Sequence, residues 1–361
     1  MSADALSRKQ IAIITLVLFL IAAALVIQSG ILSPKREVVK PVVRVGYLTS
    51  DLHHLAYFVA KNQTAGGGRS FFEEYGVNVT DAAAGGYAHG GAEMDAFAGG
   101  QVDIGYLGSP PAITKHLNAG VNTSIIAQVN EIGSGLVVAR DIGRFSDLKG
   151  KTVAVPSHSS IQYFLLLALA EREGVEIKDI DVIDVSPLVN MKIKMEKGEV
   201  SGFVAWEPFV SDAVISGVGK LLASSNDIWP HHICCVLVVS NSFAAEHRDL
   251  VVKFLRAHIE ATDWINNAKS KINSTEYGLL TDIAVHFTGR SPEVIESALK
   301  LIDYKFEIDQ TFTSSFKAFT EKLIQYGIVP LEKLNQRGYG DVDSFVSKYV
   351  DKTFLEEAKR K

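Results

Sequence analysis

Six short segments of the 361-residue chain gather the side chains that could do chemistry. Pro156-Ser157-His158-Ser159-Ser160 sets three hydroxyls and one imidazole directly before an apolar run that starts at Ile161. A helix start needs one side-chain oxygen as its cap. The surplus suits a small anion, held by those hydroxyls and the exposed N–H groups of the helix N-terminus. Gly108-Ser109-Pro110-Pro111 repeats the device with a single hydroxyl. Thr49-Ser50-Asp51-Leu52-His53-His54 offers a carboxylate and two imidazoles. Ser50 or Asp51 would also serve as an ordinary cap, and consecutive histidines on a helix point about 100° apart, so at most one faces a shared site. Trp206-Glu207-Pro208 supplies an aromatic face and a carboxylate. In Ala84-Gly85-Gly86-Tyr87, ahead of His89, the glycine N–H groups can approach a ligand closely or simply turn the chain.

His231-His232-Ile233-Cys234-Cys235 raises the question of a metal, because His and Cys are the common zinc ligands. In an extended segment, however, neighbours project to opposite faces. These four are therefore expected not to converge, and buried Cys at the start of a strand is ordinary. No metal ion and no other cofactor is assigned. G-x-S-x-G, H-E-x-x-H, a P-loop and a G-x-G-x-x-G following a strand are all missing from the sequence. No residue is given a catalytic role, and the chain reads as a binder rather than an enzyme.

Strand–helix alternation must position these segments. Residues 42–48, 102–107, 152–155, 201–205 and 236–239 read as strands, with helical periods between them, which implies an α/β fold of parallel sheets covered by helices on both faces. The pattern restarts near residue 136, as if one α/β unit were nested within another. Residues 41–135 and 240–361 then form lobe one, and residues 136–239 form lobe two, with crossings at 136–139 and 236–239 included in it. Two crossings make a hinge and leave a cleft between the lobes. After residue 240 the chain is almost wholly helical and is expected to pack back on lobe one. Ligands of open α/β sheets sit beyond the carboxyl ends of strands, and five of the six segments follow a strand.

Ahead of the lobes, residues 1–40 hold an apolar run from Ile11 through Leu32, interrupted at Gln28-Ser29-Gly30 and preceded by Arg8 and Lys9. It is long enough to cross a bilayer. Two readings stand: an uncleaved anchor tethering the body to the cell membrane, or a signal peptide cleaved near Ser29-Gly30 to leave a secreted or periplasmic body. No Cys follows the run to carry a lipid. Basic residues on both flanks leave its orientation weakly specified. The two cysteines exclude a disulfide scaffold and a four-Cys zinc site. Basic residues concentrate at this end while the formal net charge is -5, so the body is acidic and no nucleic-acid partner is expected.

The succession VGYLTSDLHHLAYFVAKN, FFEEYGVNV, GGAEMDAFAGGQVDIGYLGSPPAITKHLNAG, LKGKTVAVPSHSS, VSGFVAWEPFVSDAV and HHICCVLVVSNSF resembles the extracytoplasmic substrate-binding proteins of nitrate/sulfonate/taurine-type ABC importers, within the periplasmic binding protein type II superfamily. The resemblance implies a two-lobed, hinge-closing binder that delivers a small solute to a membrane permease and its ATPase subunit. It places ligand contacts at Ser50, His54, Gly86, Ser109, Ser157, Ser159, Ser160, Trp206 and Glu207. Asp51 and His158 join them on the residue reading above. Relatives of the same fold include binders of thiamine-pyrimidine precursors and a fungal enzyme that makes the pyrimidine; His53, His54, Cys234 and Cys235 are similar to that branch. A binder, or iron-dependent synthase, of an amino-heteroaromatic is thus the second reading. The candidate loops hold no Arg or Lys, while Asp51 and Glu207 could meet a cationic group. That combination suits a zwitterion such as an aminosulfonate better than bare nitrate.

Overall fold

The computed structural model describes residues 7–28 and 41–360 of the chain. They fall into a first unit that holds the apolar helix and a second that begins at Val42. The helix Arg8–Gln28 exposes large apolar side chains around its circumference. Its 21 residues, at 1.5 Å each, span about 31 Å, the thickness of a bilayer's hydrocarbon core. Residues 29–32 of the apolar run and the charged segment 35–40 lie outside the described residues.

In the second unit, runs rich in Val and Ile build the strands β1 (Val42–Gly46), β2 (Asn78–Asp81), β3 (Ile104–Gly108), β4 (Thr123–Gln128), β5 (Asn130–Ile132), β6 (Ser134–Val138), β7 (Thr152–Val155), β8 (Asp181–Asp184), β9 (Gly202–Trp206), β10 (Lys220–Ser224), β11 (Cys235–Ser240) and β12 (Ile302–Tyr304). The first sheet runs β2-β1-β3-β11-β4 and the second β10-β6-β9-β7-β8, while β5 and β12 pair on their own. Both sheets are mixed rather than purely parallel as the strand–helix alternation suggests. β11 runs antiparallel to β3 and β4, and β6 antiparallel to β9 and β10. Parallel neighbours need a helical crossover; β6 is reached from β4 and β5 almost directly, with only Val129 and Gly133 between them. β11 also corrects the expected lobe boundary: its ladders to β3 and β4 place residues 235–240 in the first sheet, not with the second.

The second sheet alternates its side chains between two cores. Val137, Ala154, Phe203 and Ala205 face one side with Met191, whereas Leu136, Val138, Val153, Val155 and Val204 face the other with Leu166. This period of two follows from the pleat. The first sheet shares one large core with the amphipathic helix Arg248–Ser270 and the helices that follow it.

Those later helices do more than cover the first sheet. Phe319, in the helix Gln310–Gln325, is fully buried between Trp229 (ring centroids 5.0 Å apart, 16° between planes) and Phe164 of the helix Ile161–Arg172, at 4.3 Å. Glu171 on that same helix accepts hydrogen bonds from Lys322 Nζ at 2.8 Å and the Tyr326 hydroxyl at 2.7 Å. At another point Arg290 lies 3.6 Å from Asp212, and the Ser211 and Ser297 hydroxyls are 3.3 Å apart. The carboxy-terminal helices thus bridge both sheets.

The apolar part of this bridge carries the energy. Phe319→Ala is expected to destabilise the protein by about 3–5 kcal/mol, whereas Glu171→Gln, at an exposed ion pair, should stay within about 0.5 kcal/mol of wild type. Urea unfolding of both variants checks this; equal effects would show that the aromatic stack is not what joins the helices to the second sheet.

Candidate ligand-binding site

Segments at the ends of β1, β3, β7 and β9 enclose a cavity of about 20 Å³ between the two sheets. Asp51, His53, His89, Cys234 and Cys235 face it from the first lobe; Ser160, Gln162 and Trp206 face it from the second. That volume holds about one water molecule, so a larger solute enters only when the lobes part. Direct bonds hold them together: the Leu52 N–H donates to the Glu207 carbonyl at 3.1 Å, and His53 Nε2 lies 2.9 Å from the Gly133 carbonyl.

Asp51 caps the short turn Leu52–His54 by accepting the His53 backbone N–H at 3.0 Å. Its carboxylate also lies 3.2 Å from His53 Nδ1. Burial pushes the Asp51 carboxyl up to about 7, with His53 opposing the shift. Burial alone would lower His53, but Asp51 and Cys234 beside it lift it to about 9. Of the two consecutive histidines, the one facing the cavity is His53, not His54. The segment is a 3-10 turn, and His54 is directed back at the chain just after β1, where Nδ1 accepts the Leu48 N–H at 3.0 Å. Burial holds His54 well below the usual imidazole range.

Ser50 and Gly86 lie away from the cavity. Ser50, at φ 52°, lines an outer groove of about 820 Å³ with Tyr47, Phe58 and Phe287. Gly86, at φ 86°, packs so closely on Tyr47 that a Cβ would land 2.8 Å from its ring. Its two constraints are a tight turn and a neighbouring side chain. Ser109 is buried beside the lining residues Gly108 and Pro111; its N–H donates to the Cys234 carbonyl at 2.9 Å, and its hydroxyl has no hydrogen-bond partner among the described residues.

Before the helix Ile161–Arg172, the hydroxyl surplus partly satisfies itself. Ser157 and Ser159 hydroxyls lie 3.1 Å apart. The Ser160 hydroxyl donates to the Ser157 carbonyl at 2.7 Å and accepts the Tyr163 N–H at 3.2 Å, so it is the helix cap. Of the three, Ser160 reaches the cavity wall. His158 points elsewhere: half exposed, it bonds Asp184 Oδ1 through Nδ1 at 2.6 Å on the second lobe. Trp206 lines the cavity, and its indole N–H has no partner among the described residues. Glu207 lies buried behind it. One carboxylate oxygen accepts the Ser211 N–H at 3.0 Å, the other has no partner among the described residues, and burial pushes the carboxyl up to about 7.

His53, His89 and Gln162 were outside the sequence-derived site. His89 caps the helix Gly90–Ala98, accepting the Ala92 N–H at 3.2 Å. Gln162 donates to the Ser134 hydroxyl at 2.9 Å; one amide in the first turn of an otherwise apolar helix is its only signal in the sequence. Cys234 and Cys235 correct a geometric expectation. Their Sγ atoms lie 3.9 Å apart, and 3.6 and 3.7 Å respectively from His53 Nδ1. Alternation fails because both N–H groups turn to one residue: Cys234 donates to the Asn130 carbonyl at 3.0 Å and Cys235 to the Asn130 side-chain oxygen at 3.1 Å.

Comparison with known proteins places this architecture. Over 175 residues the chain is 30% identical to the taurine-binding periplasmic protein of Escherichia coli (strain K12), an alignment that covers 48% of this chain and 53%, about half, of that protein. A ligand-binding component of an ABC-type import system from Staphylococcus aureus, with zinc bound, superposes with a TM-score of 0.70 at 18% identity, covering 89% of this chain and 100% of that one. The alkanesulfonate-binding protein from Xanthomonas axonopodis pv. citri, bound to MOPS, superposes with a TM-score of 0.67 at 17% identity, covering 81% of this chain and 96% of its own. The fold is accordingly the two-lobed periplasmic-binding-protein fold. Residues 39–277 match a single family throughout, spanning both sheets: the chain belongs to the NMT1-like family.

Proposed function

We propose that the protein is the extracytoplasmic solute-binding component of an ABC importer, and that its cleft captures a small sulfonate bearing an amino group, with taurine as the type compound. The observation that carries this reading is the pair of opposed polar groups at the cavity. Trp206 lines it from the second lobe, with its indole N–H lacking a partner among the described residues, and the buried Asp51 lines it from the first. An unpaired buried donor costs about 1–3 kcal/mol, and a sulfonate oxygen would relieve that cost. The start of the helix Ile161–Arg172 adds its dipole on the same side. An ammonium group on the solute would meet Asp51. Because such a solute touches both walls, it favours the closed lobes over the open ones, which is what differential affinity requires.

A membrane permease and its ATPase subunit would receive the solute, and the helix Arg8–Gln28 would either hold the protein at the membrane surface or direct its export. The chain would bind its solute without turning it over. The pyrimidine-precursor reading gains no support from the relatives described above.

Calorimetry with taurine, ethanesulfonate and nitrate tests the assignment, taurine being expected to bind most tightly. Trp206→Phe should weaken taurine binding about tenfold, the loss of one hydrogen bond of about 1.4 kcal/mol, measured at a temperature where the variant is fully folded. Unchanged affinity would remove Trp206 from the site, and no heat with any of the three would end the sulfonate reading.

Glu207 yields a prediction about pH. Burial raises its carboxyl from an ordinary 4.5 to about 7, so the folded protein binds a proton that the unfolded chain releases. Its contribution to stability is full below about pH 4.5 and is lost as pH rises through about 7. Glu207→Gln should therefore lose on the order of 2 kcal/mol of the wild-type decline between those values. Denaturant melts across that range measure it; parallel wild-type and variant curves would contradict a neutral Glu207.

A further inference from the structure

We propose that His53, Cys234 and Cys235 bind one divalent metal ion of the zinc class in the floor of the cavity, with its remaining coordination position facing the solute. A zinc ion has bonds of about 2.3 Å to sulfur and 2.0–2.1 Å to imidazole nitrogen, in a tetrahedral arrangement. Its ligand atoms must then stand about 3.8 Å apart for two sulfurs and about 3.5 Å for sulfur and nitrogen. The corresponding separations are 3.9 Å between the two Sγ atoms, and 3.6 and 3.7 Å from each to His53 Nδ1. Three donors from segments 181 and 182 residues apart thus already stand at the edges of one coordination tetrahedron.

The surroundings fix the donor atoms as well as their distances. His53 Nε2 lies 2.9 Å from the Gly133 carbonyl. A carbonyl can only accept, so Nε2 carries a proton, and a metal that displaces the proton from Nδ1 would meet the lone pair on the side of the two sulfurs. Metal-ligating histidines are held this way, with the far N–H on a backbone carbonyl or carboxylate. Gly133 makes the approach possible: at φ 91°, a Cβ there would collide with the His53 ring. Asn130, by taking both cysteine N–H groups, turns both thiols to one side. Asp51 Oδ1, 3.2 Å from Nδ1, lies beside this group without completing it. All four residues are buried, yet each borders the cavity.

On binding the metal, each thiol gives up its proton to solvent, and the two thiolates balance the dipositive charge. Two cysteines and one histidine with a fourth position open is a donor set in which zinc accepts an oxygen ligand. Among the described residues no Arg or Lys lines the cavity. A metal there would supply the electrophile that a sulfonate oxygen needs; this role rests on the solute assignment above, whereas metal binding itself does not.

Cobalt(II) is the probe, titrated into the full chain after reduction, with two free thiols per chain counted in denaturant. One equivalent should bind with a sulfur-to-cobalt charge-transfer band and the intense visible bands of tetrahedral cobalt, and zinc should displace it. Cys234→Ser and Cys235→Ser should each weaken binding by about 100-fold or more and diminish the charge-transfer band. His53→Gln, which keeps a polar side chain at a buried position, should do the same with its far-ultraviolet dichroism unchanged. Absence of the bands with both thiols free, or bands that survive loss of both cysteines, would overturn the site. Taurine should then perturb the visible bands. Cobalt bound as described but blind to taurine, while calorimetry registers taurine binding, would overturn the open position facing the solute. Cobalt bound as described with no sulfonate binding by calorimetry would uphold the metal site and defeat the solute assignment instead.

Discussion

Where the chain first crosses between the sheets, the carbonyl of Gly133 meets two donors: the backbone N–H of Glu207 at 2.9 Å and His53 Nε2 at 2.9 Å. One donor belongs to the end of a second-sheet strand, the other to the turn that follows the first strand of the first sheet. With the Glu207 carbonyl, which accepts the Leu52 N–H at 3.1 Å, this acceptor sets the separation of the cavity's two walls. The backbone here is costly to build. Ile132 and Gly133 both have positive φ, 50° and 91°, and for a β-branched residue that is a true outlier. Such strain persists only where the surroundings over-determine it, and here they do: the Ile132 N–H donates to the His232 carbonyl, the Ser134 N–H to the Ser225 hydroxyl, and the His53 ring closes against Gly133. Crossing, cavity and imidazole orientation are one arrangement.

From that arrangement follow the unusual electrostatics of the interior. Asp51, His53, His54, Glu93, Glu207, Cys234 and Cys235 are all buried, and among the described residues no Lys or Arg lines the cavity that Asp51, His53 and the two cysteines border. Charges so placed cost several kcal/mol each unless they are paired, so buried groups tend to pair or go neutral. Both outcomes occur. Glu93 lies under Gly46 and Gly105, neither of its carboxylate oxygens has a partner among the described residues, and burial drives it well above the carboxylate range. His53 instead sits beside Asp51 and Cys234, which favour positive charge on its ring.

Much of the architecture was legible because it rests on short-range regularities. The restarted strand–helix pattern gives two sheets, and the carboxyl ends of their strands carry Asp51, Ser160 and Trp206 to the cavity. What was not legible depends on partners distant in sequence. Strand direction is one case: β11 enters the first sheet antiparallel because the chain returns to it from the other lobe, and no local pattern in VLVV records that. The choice between His53 and His54 turned on a 3-10 turn in place of an α-helix, a difference decided by Asp51 capping the very next residues. The convergence of Cys234 and Cys235 was excluded by the period of an ideal strand, and one amide side chain, Asn130, undoes that period. The serine-rich loop erred in the opposite direction, since several of its hydroxyls serve one another and the helix cap.

The two sides of the lobe junction differ in what they would lose on opening. At the cavity the contacts are hydrogen bonds and polar side chains, which water can replace at a net cost of about 0.5–1.5 kcal/mol each. At the back the carboxy-terminal helices join the sheets through the buried rings of Phe164 and Phe319 and the partly buried Trp229. Separating such rings exposes apolar surface at about 25 cal/mol per Å², with no compensating partner in water. The less costly motion therefore parts the cavity side while the aromatic side stays joined, and it bends the chain at the two crossings rather than within either sheet. A solute admitted by that motion need only outbid water for a handful of polar groups. Closing upon it then sets the two polar walls against the solute, at a separation wider than the one-water cavity allows, so its affinity depends on how well its own polar groups replace the direct bonds to Gly133 and Glu207.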